Sequence, residues 1–409
     1  MNLSYFPAGT LEGHAALRVL GPDNPGRLTV GRAGSATTLT ATSSVATATA
    51  NLPRFSGAAR RLLVEGRRSN QIRNARGEGA VPGPYSSGGA LPGFWGLNGV
   101  TPALLEILGT GEEDGLNYTD IRAAGSSTFA LRFGAPTEAA AAAGQSIASA
   151  VHVRLLAGAL SDAALLEVDF FANNATSINK IAIAPTGARL ASQRFTNVYV
   201  FPSAVSIVSR LRFSGSYDVS LRIAAPTLEP DAAFPSSVIL PPAGAPAVSA
   251  READQPAWAP AGGFGAQGTL VVRAMLPQLA PFGASQGLWQ IDDGTDQNRI
   301  ALRNTSAGSA ITGVVDLGGT NLATLSPGNM TPGVPFRAAF AWAPGDQALC
   351  LSGGEVQTAA AVLPTGLTRL LVGHASTQLN RAAFGEVELL DYRPTRLPNA
   401  MLQALSGAA

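Results

Sequence analysis

Short runs in which every second residue is apolar recur along this chain, and a period of two restricts such runs to β-strands with one face buried. In Leu166-Glu167-Val168-Asp169-Phe170 the apolar residues share one face and both carboxylates the other. Val219-Ser220-Leu221-Arg222-Ile223 and Val151-His152-Val153-Arg154-Leu155 repeat the pattern. Between such runs stand turn residues, supplied by 46 Gly and 28 Pro. Strands of this kind punctuated by turns predict antiparallel sheets packed face to face. With 409 residues the chain is longer than one core usually fills. The expected fold is therefore all-β: two tandem β-sandwich domains, with an extended N-terminal arm and a short C-terminal helix.

Charge is scarce. Charged residues make up 13% of the chain, against roughly 25% in an ordinary globular domain, so small uncharged residues must cover much of the surface. Twenty-eight basic residues face twenty-seven acidic ones, and Lys180 is the only lysine. No basic stripe can follow a phosphate backbone, and nucleic acid is not an expected partner. Cys350 stands alone, and His14, His152 and His374 are dispersed, so neither a disulfide framework nor a Cys/His metal site is expected. No apolar run reaches the length of a membrane helix, so no membrane insertion is expected. Residues Met1 to Pro7 lack the basic and apolar regions of a secretory signal. A charge-poor chain made in a cytoplasm without an export signal suits a component assembled into a particle and released by lysis.

Residues 1–65 carry short strand-like pieces such as Leu17-Arg18-Val19 and Leu28-Thr29-Val30, too little for a core of their own. They read as an anchoring arm that needs a neighbour. Residues 66–230 form the first sandwich and 261–409 the second. Between them, 231–260 read as a linker, stiffened by Leu240-Pro241-Pro242-Ala243-Gly244-Ala245-Pro246, which cannot join a central strand. Glu138 to Ala143, with its five alanines, could make a helical turn or a loop. From Pro398 to Leu405, proline at the first turn and Met401, Leu402 and Leu405 at helical spacing predict the C-terminal helix. Trp289 and Trp342 lie in apolar strands and are expected in the core, while the proline-flanked Trp258 is expected between domains.

Catalytic motifs fail on context. Gly263-Phe264-Gly265-Ala266-Gln267-Gly268 spells the dinucleotide fingerprint and Gly283-Ala284-Ser285-Gln286-Gly287 the nucleophile elbow. Both need a helix afterwards, and here a strand follows each. Asp292-Asp293-Gly294-Thr295-Asp296 lacks the spacing and terminal glutamate of a calcium loop, and its Asp-Gly favours a hairpin turn. Glu112, Glu113 and Asp114 form an acidic cluster, and glycoside hydrolysis requires paired carboxylates, but on a glycine-flanked loop they are expected to be merely solvated. His152, at a polar strand position, is expected at the surface. No catalytic residue, metal site or cofactor is assigned.

Sugar recognition rests on aromatic faces with polar neighbours, because a pyranose ring has an apolar side and a hydroxylated rim. The candidate carbohydrate-binding residues are Trp95 with Asn98, in Pro92-Gly93-Phe94-Trp95-Gly96-Leu97-Asn98, and Tyr118 with Asp120, in Asn117-Tyr118-Thr119-Asp120. Core packing is the commoner role for such rings.

Three stretches occur in a characteristic order: Gly31-Arg32-Ala33-Gly34-Ser35-Ala36-Thr37, Ala48-Thr49-Ala50-Asn51-Leu52-Pro53-Arg54-Phe55 and Leu62-Leu63-Val64-Glu65-Gly66-Arg67-Arg68-Ser69-Asn70. They resemble phage and gene-transfer-agent structural proteins of the tail-fibre and head-spike type. The region closed by Pro226-Thr227-Leu228-Glu229-Pro230 looks like a carbohydrate-binding-module jelly roll. The region bearing Ile291-Asp292-Asp293-Gly294, Asn298-Arg299-Ile300 and Asp391-Tyr392-Arg393-Pro394 is similar to concanavalin-like, laminin-G-type sandwiches. The resemblance implies a non-enzymatic protein on the surface of a virion or phage-like particle, with host cell-surface polysaccharide as ligand. It also implies other virion proteins as partners through the N-terminal arm, and association into a homo-oligomer. Two rival readings remain: a depolymerase of host capsule, and a decoration protein that contacts only other virion proteins.

Overall fold

The computed structural model describes residues 17–20, 27–135, 137–160, 165–172, 176–281 and 283–407. The chain is all-β, with antiparallel sheets and one α-helix, Asn399–Gly407, among the described residues. Two compact units divide it. One comprises Met1–Gly34, Ala48–Arg67 and Glu252–Ala409, the other Ser35–Thr47 and Arg68–Arg251.

Among the described residues the first unit has two sheets. In one, Gln357–Ala359, Asp346–Leu351, Phe336–Ala343, Gly268–Met275, Gly385–Arg393, Arg61–Val64 and Phe55–Ser56 follow in order, with Leu17–Leu20 also paired to Gly385–Arg393. In the other, Thr29–Gly31, Gln255–Trp258, Arg369–Val372, Gln286–Asp292, Arg299–Asn304, Ala310–Leu317 and Thr320–Asn329 are neighbours. Alternate residues of these strands meet in one core, including Leu270, Val272, Trp289, Ile291, Ile300, Phe340, Trp342 and Leu390. Trp289 and Trp342 are buried as the sequence predicts. The C-terminal helix covers the outside of the first sheet. There the outward residues Ala339, Ala341 and Ala348 are small enough to let Leu402 and Leu405 approach.

Several strands near the N-terminus are thus built into this unit's sheets. A buried ionic knot ties them to the C-terminal part: Asp254 accepts from Arg32 at 2.7 Å and also pairs with Arg54, which donates to Glu65 at 2.8 Å. The backbone N–H of Glu65 donates to Asp254 as well. Trp258 differs from expectation. It lies in the Gln255–Trp258 strand and packs on this unit's own core, edge-on to Phe264 at 5.7 Å and Tyr392 at 5.8 Å; Pro256, inside that strand opposite Val30, does not keep it out of the sheet. His374 is fully buried, its Nε2 2.5 Å from the Asp254 carbonyl oxygen.

In the second unit one sheet runs Arg194–Val200, Ser146–Leu160, Tyr217–Pro230, Leu116–Gly125, Leu104–Glu113, Gly83–Pro84. The facing sheet runs Ser177–Ala182, Leu165–Ala172, Val205–Ser214, Phe129–Arg132, Gly96–Gly99, with Ala139–Ala141 paired to Val205–Ser214. Val168, Phe170, Leu211, Phe213, Val151, Val153, Leu221 and Ile223 fill the space between. Asp169, on the outward side of its strand, is nonetheless buried, neutralised by a two-pronged bond from Arg210 at 2.7 and 2.8 Å. The alanine run is not a helix, and its last two residues lie outside any strand. It supplies the short strand Ala139–Ala141, with Ala139 and Ala141 inward and buried.

Part of the outer face of the first of these sheets is roofed over. Residues 232–240 cross it: Ser236 donates its N–H to Glu229, Thr37 donates to the Val238 carbonyl, and Asn70 donates to the Ile239 carbonyl. Val238 joins Leu116, Leu190 and Ala224 in a small satellite core. This roof corrects the expectation for His152. The side chain does sit on the outward side of its strand, but only 2% of it is exposed, because the roof makes that part of the outward face interior. Burial, with the charge of Arg194, lowers its pKa to about 3.

Candidate functional site

Beyond the roof the same sheet face is open, and here the structure gathers a cluster of polar side chains. The strands Leu104–Glu113 and Leu116–Gly125 form a hairpin turning at Asp114-Gly115, both with positive φ, 55° and 76°. Such a turn matches the twist of paired strands and favours Asp-Gly. On the second strand Tyr118, Asp120 and Arg122 face outward. On the adjoining strand Tyr217–Pro230, Ala224, Arg222 and Ser220 stand opposite them. Arg154 of Ser146–Leu160 stands opposite Arg222.

The Arg222 guanidinium is the centre. It donates to both Asp120 oxygens, at 2.9 and 2.8 Å, and to Glu113 Oε2 at 2.6 Å, and lies 3.5 Å above the Tyr118 ring centroid. Glu113 Oε1 accepts from Arg154 at 2.7 Å and from the Leu190 N–H at 3.1 Å. Farther out, Arg122 holds both oxygens of Asp218 at 3.1 Å. At the hairpin tip Asp114 accepts from Arg189 and from the Ala191 N–H. Glu113 and Asp114 are therefore not merely solvated, as expected from sequence. They bind the segment around Leu190 to the sheet.

These contacts fix protonation. Burial pushes Glu113 upward, but the Arg222 bond, the Leu190 N–H and the Arg154 and Arg222 charges outweigh it and hold the carboxyl below its usual range. Asp218 is lowered by its hydrogen bond from Arg122, and Arg222 is raised, first by its bond to Asp120. Glu113 accordingly stays ionised at neutral pH and has no proton to donate.

Two bulges flank the lane. Register shifts between Ile107 and Gly109 and between Leu155 and Ala157 leave Leu108 and Leu156 without paired partners. Both are exposed. Following the register across Asp120, Arg222 and Leu221, the two leucines stand at nearly the same level. Three strand spacings separate them, about 14 Å.

Of the four residues predicted from sequence, Tyr118 and Asp120 come together here. Trp95 lies in the core of the same unit, 8% exposed, its Nε1 donating to the Asn74 carbonyl at 3.0 Å and its ring edge-on to Phe133 at 4.9 Å. Asn98 belongs to the facing sheet, opposite Ala130. Arg222, Glu113 and Arg154 were missed. Arg222 was visible as the charged member of its alternating run, and Asp114-Gly115 was visible as a hairpin dipeptide, but which charges meet depends on register. The two apparent catalytic motifs run into the strands Gly268–Met275 and Gln286–Asp292 as predicted, and Asp293-Gly294 lies in the turn joining Gln286–Asp292 to Arg299–Asn304. Among the described residues no group of three or more His, Cys, Asp or Glu could hold a metal ion, and no helix is long and apolar enough to cross a membrane.

No protein-family model matches the chain, and no curated protein matches it. Solved structures similar to parts of it include the CBM40 domain of Ruminococcus gnavus IT-sialidase bound to alpha2,3 sialyllactose. That likeness has 21% identity over 35% of this chain and 83% of the other, with a TM-score of 0.29. Sheep galectin-11 in complex with glycerol is 18% identical over 33% of this chain and 95% of its own, TM-score 0.22. Domains LG4-5 of the mouse laminin alpha1 chain are 10% identical over 81% and 89%, TM-score 0.26. Likenesses this distant assign neither a site nor a ligand to this chain.

Proposed function

We propose that this protein is a non-enzymatic adhesion component of a phage-like particle that binds host surface polysaccharide through the open sheet face of the second unit. The observation that carries the reading is the Arg222 cluster. Planar guanidinium and carboxylate groups are locked in position by one another, beside a tyrosine and between two exposed leucines. Preorganised groups of this kind lose little freedom when they exchange water for sugar hydroxyls. The particle setting, and with it docking on virion proteins or sister chains, rests on the sequence resemblance. Repeated copies would turn weak sugar affinity into avidity.

The test is an array of bacterial surface polysaccharides probed with the full chain and with Asp120→Ala. Binding that the substitution abolishes, without release of reducing ends, is the expected result. New reducing ends would convert the reading to a depolymerase. Silence across the array would favour a decoration protein with protein contacts alone.

A further inference from the structure

If the open face binds glycan, its charge balance narrows the class of glycan it can take. Each guanidinium on the open lane is already answered by a carboxylate. Arg222 serves Asp120 and Glu113, Arg154 serves Glu113, and Arg122 serves Asp218. Glu106, opposite Arg122, adds a further carboxylate on the same side, within its electrostatic reach. No guanidinium on the lane is left over for an acidic sugar, and the local sum of three cations against four anions would repel one. To bind a uronate or sialate the lane would have to surrender an internal ion pair, leaving a half-buried carboxylate without its partner. Hydroxyl groups impose no such exchange. They can accept from guanidinium N–H groups and donate to carboxylate lone pairs that the internal pairs do not use.

Leu108 and Leu156 give the direction. A lone exposed leucine needs no explanation. Here, however, each is the unpaired residue of a bulge, the two stand at nearly the same level, and the strands carrying the paired charges of Asp120 and Arg222 lie between them. Bulges re-aim side chains. The arrangement sets an apolar contact at either end of a polar centre along a line crossing the strands, over about 14 Å, a span wider than one sugar ring.

We infer that the ligand of this face is an uncharged oligosaccharide segment laid across the strands, its hydroxyls on the Asp120–Arg222 pair and its ring C–H faces on Leu108 and Leu156. The experiment is titration of the full chain, in low and high salt, with neutral polymers (dextran, mannan, arabinan) and acidic ones (alginate, polygalacturonate), alongside Leu108→Asp and Leu156→Asp. The expected result is binding of at least one neutral polymer with little salt dependence. Each leucine substitution should weaken it about tenfold or more, with circular dichroism unchanged, and the corresponding monosaccharide should bind far more weakly. Binding confined to acidic polymers and screened by salt would overturn this inference while leaving glycan binding standing. Neutral binding indifferent to both leucine substitutions would overturn the crossing geometry. Failure of every polymer to bind would overturn the inference together with the reading beneath it.

Discussion

At the scale of single residues, burial decides behaviour that composition leaves open. His152 is held neutral down to about pH 3, first by desolvation and then by the Arg194 charge, whereas in the unfolded chain it titrates near its ordinary value of about 6.5. Between these limits the unfolded chain binds the extra proton. Its contribution to stability is therefore complete above about pH 6.5 and falls by about 1.4 kcal/mol for each unit of acidification toward pH 3. His152→Leu should flatten that slope, read from urea midpoints at pH 4, 5 and 6; parallel wild-type and variant curves would refute the assignment. Arg222→Ala should remove about 2 kcal/mol of stability by leaving Asp120 without its cation and Glu113 with Arg154 alone, and should abolish glycan binding. Thermal melts and the polysaccharide array check the two parts. The sequence exposed the polarity of these positions but not their neighbours. His152 reads as a surface residue because strand periodicity separates two faces without saying whether the outward one is later covered.

The strands themselves were the legible part. The alternation in Val151–Leu155, Leu166–Phe170 and Val219–Ile223 marks the inward residues correctly, because a half-buried sheet leaves no other arrangement for a period of two. The C-terminal helix was legible as well, from proline at its entry and three apolar residues on one side. What escaped were elements whose identity depends on partners. Ala139–Ala141 has little strand propensity and becomes a strand only because Val205–Ser214 offers an edge. The bulges at Leu108 and Leu156 escaped because an extra residue in one strand exists only relative to the count in the next. Asp114-Gly115 shows how much a turn can govern. Gly115 has φ of 76°, and a Cβ there would collide with the Val45 carbonyl oxygen. Gly115→Ala is expected to cost roughly 2 kcal/mol or more and to loosen the hairpin carrying Tyr118 and Asp120, seen as lower denaturation midpoints and faster amide exchange in Leu116–Gly125.

For the molecule as a whole, all-β architecture followed from composition and periodicity, but the path of the chain did not. The first unit is assembled from three separate stretches and the second from two, and the ionic knot at Asp254 joins residues contributed by all three stretches of the first. Asp254→Ala leaves Arg32 buried without its carboxylate and should cost about 3 to 5 kcal/mol. Hydrogen exchange in Thr29–Gly31 and Gln255–Trp258 should rise first, and unchanged protection there would show the knot to be dispensable. Leu17–Leu20 pairs with Gly385–Arg393, so a strand made early waits for a partner made far later in the sequence. At roughly 5 to 20 residues per second, translation keeps it waiting on the order of 20 to 70 seconds. In a polypeptide this poor in repelling charge, yield in a heterologous host is then set by elongation speed and chaperone supply more than by the robustness of the finished fold.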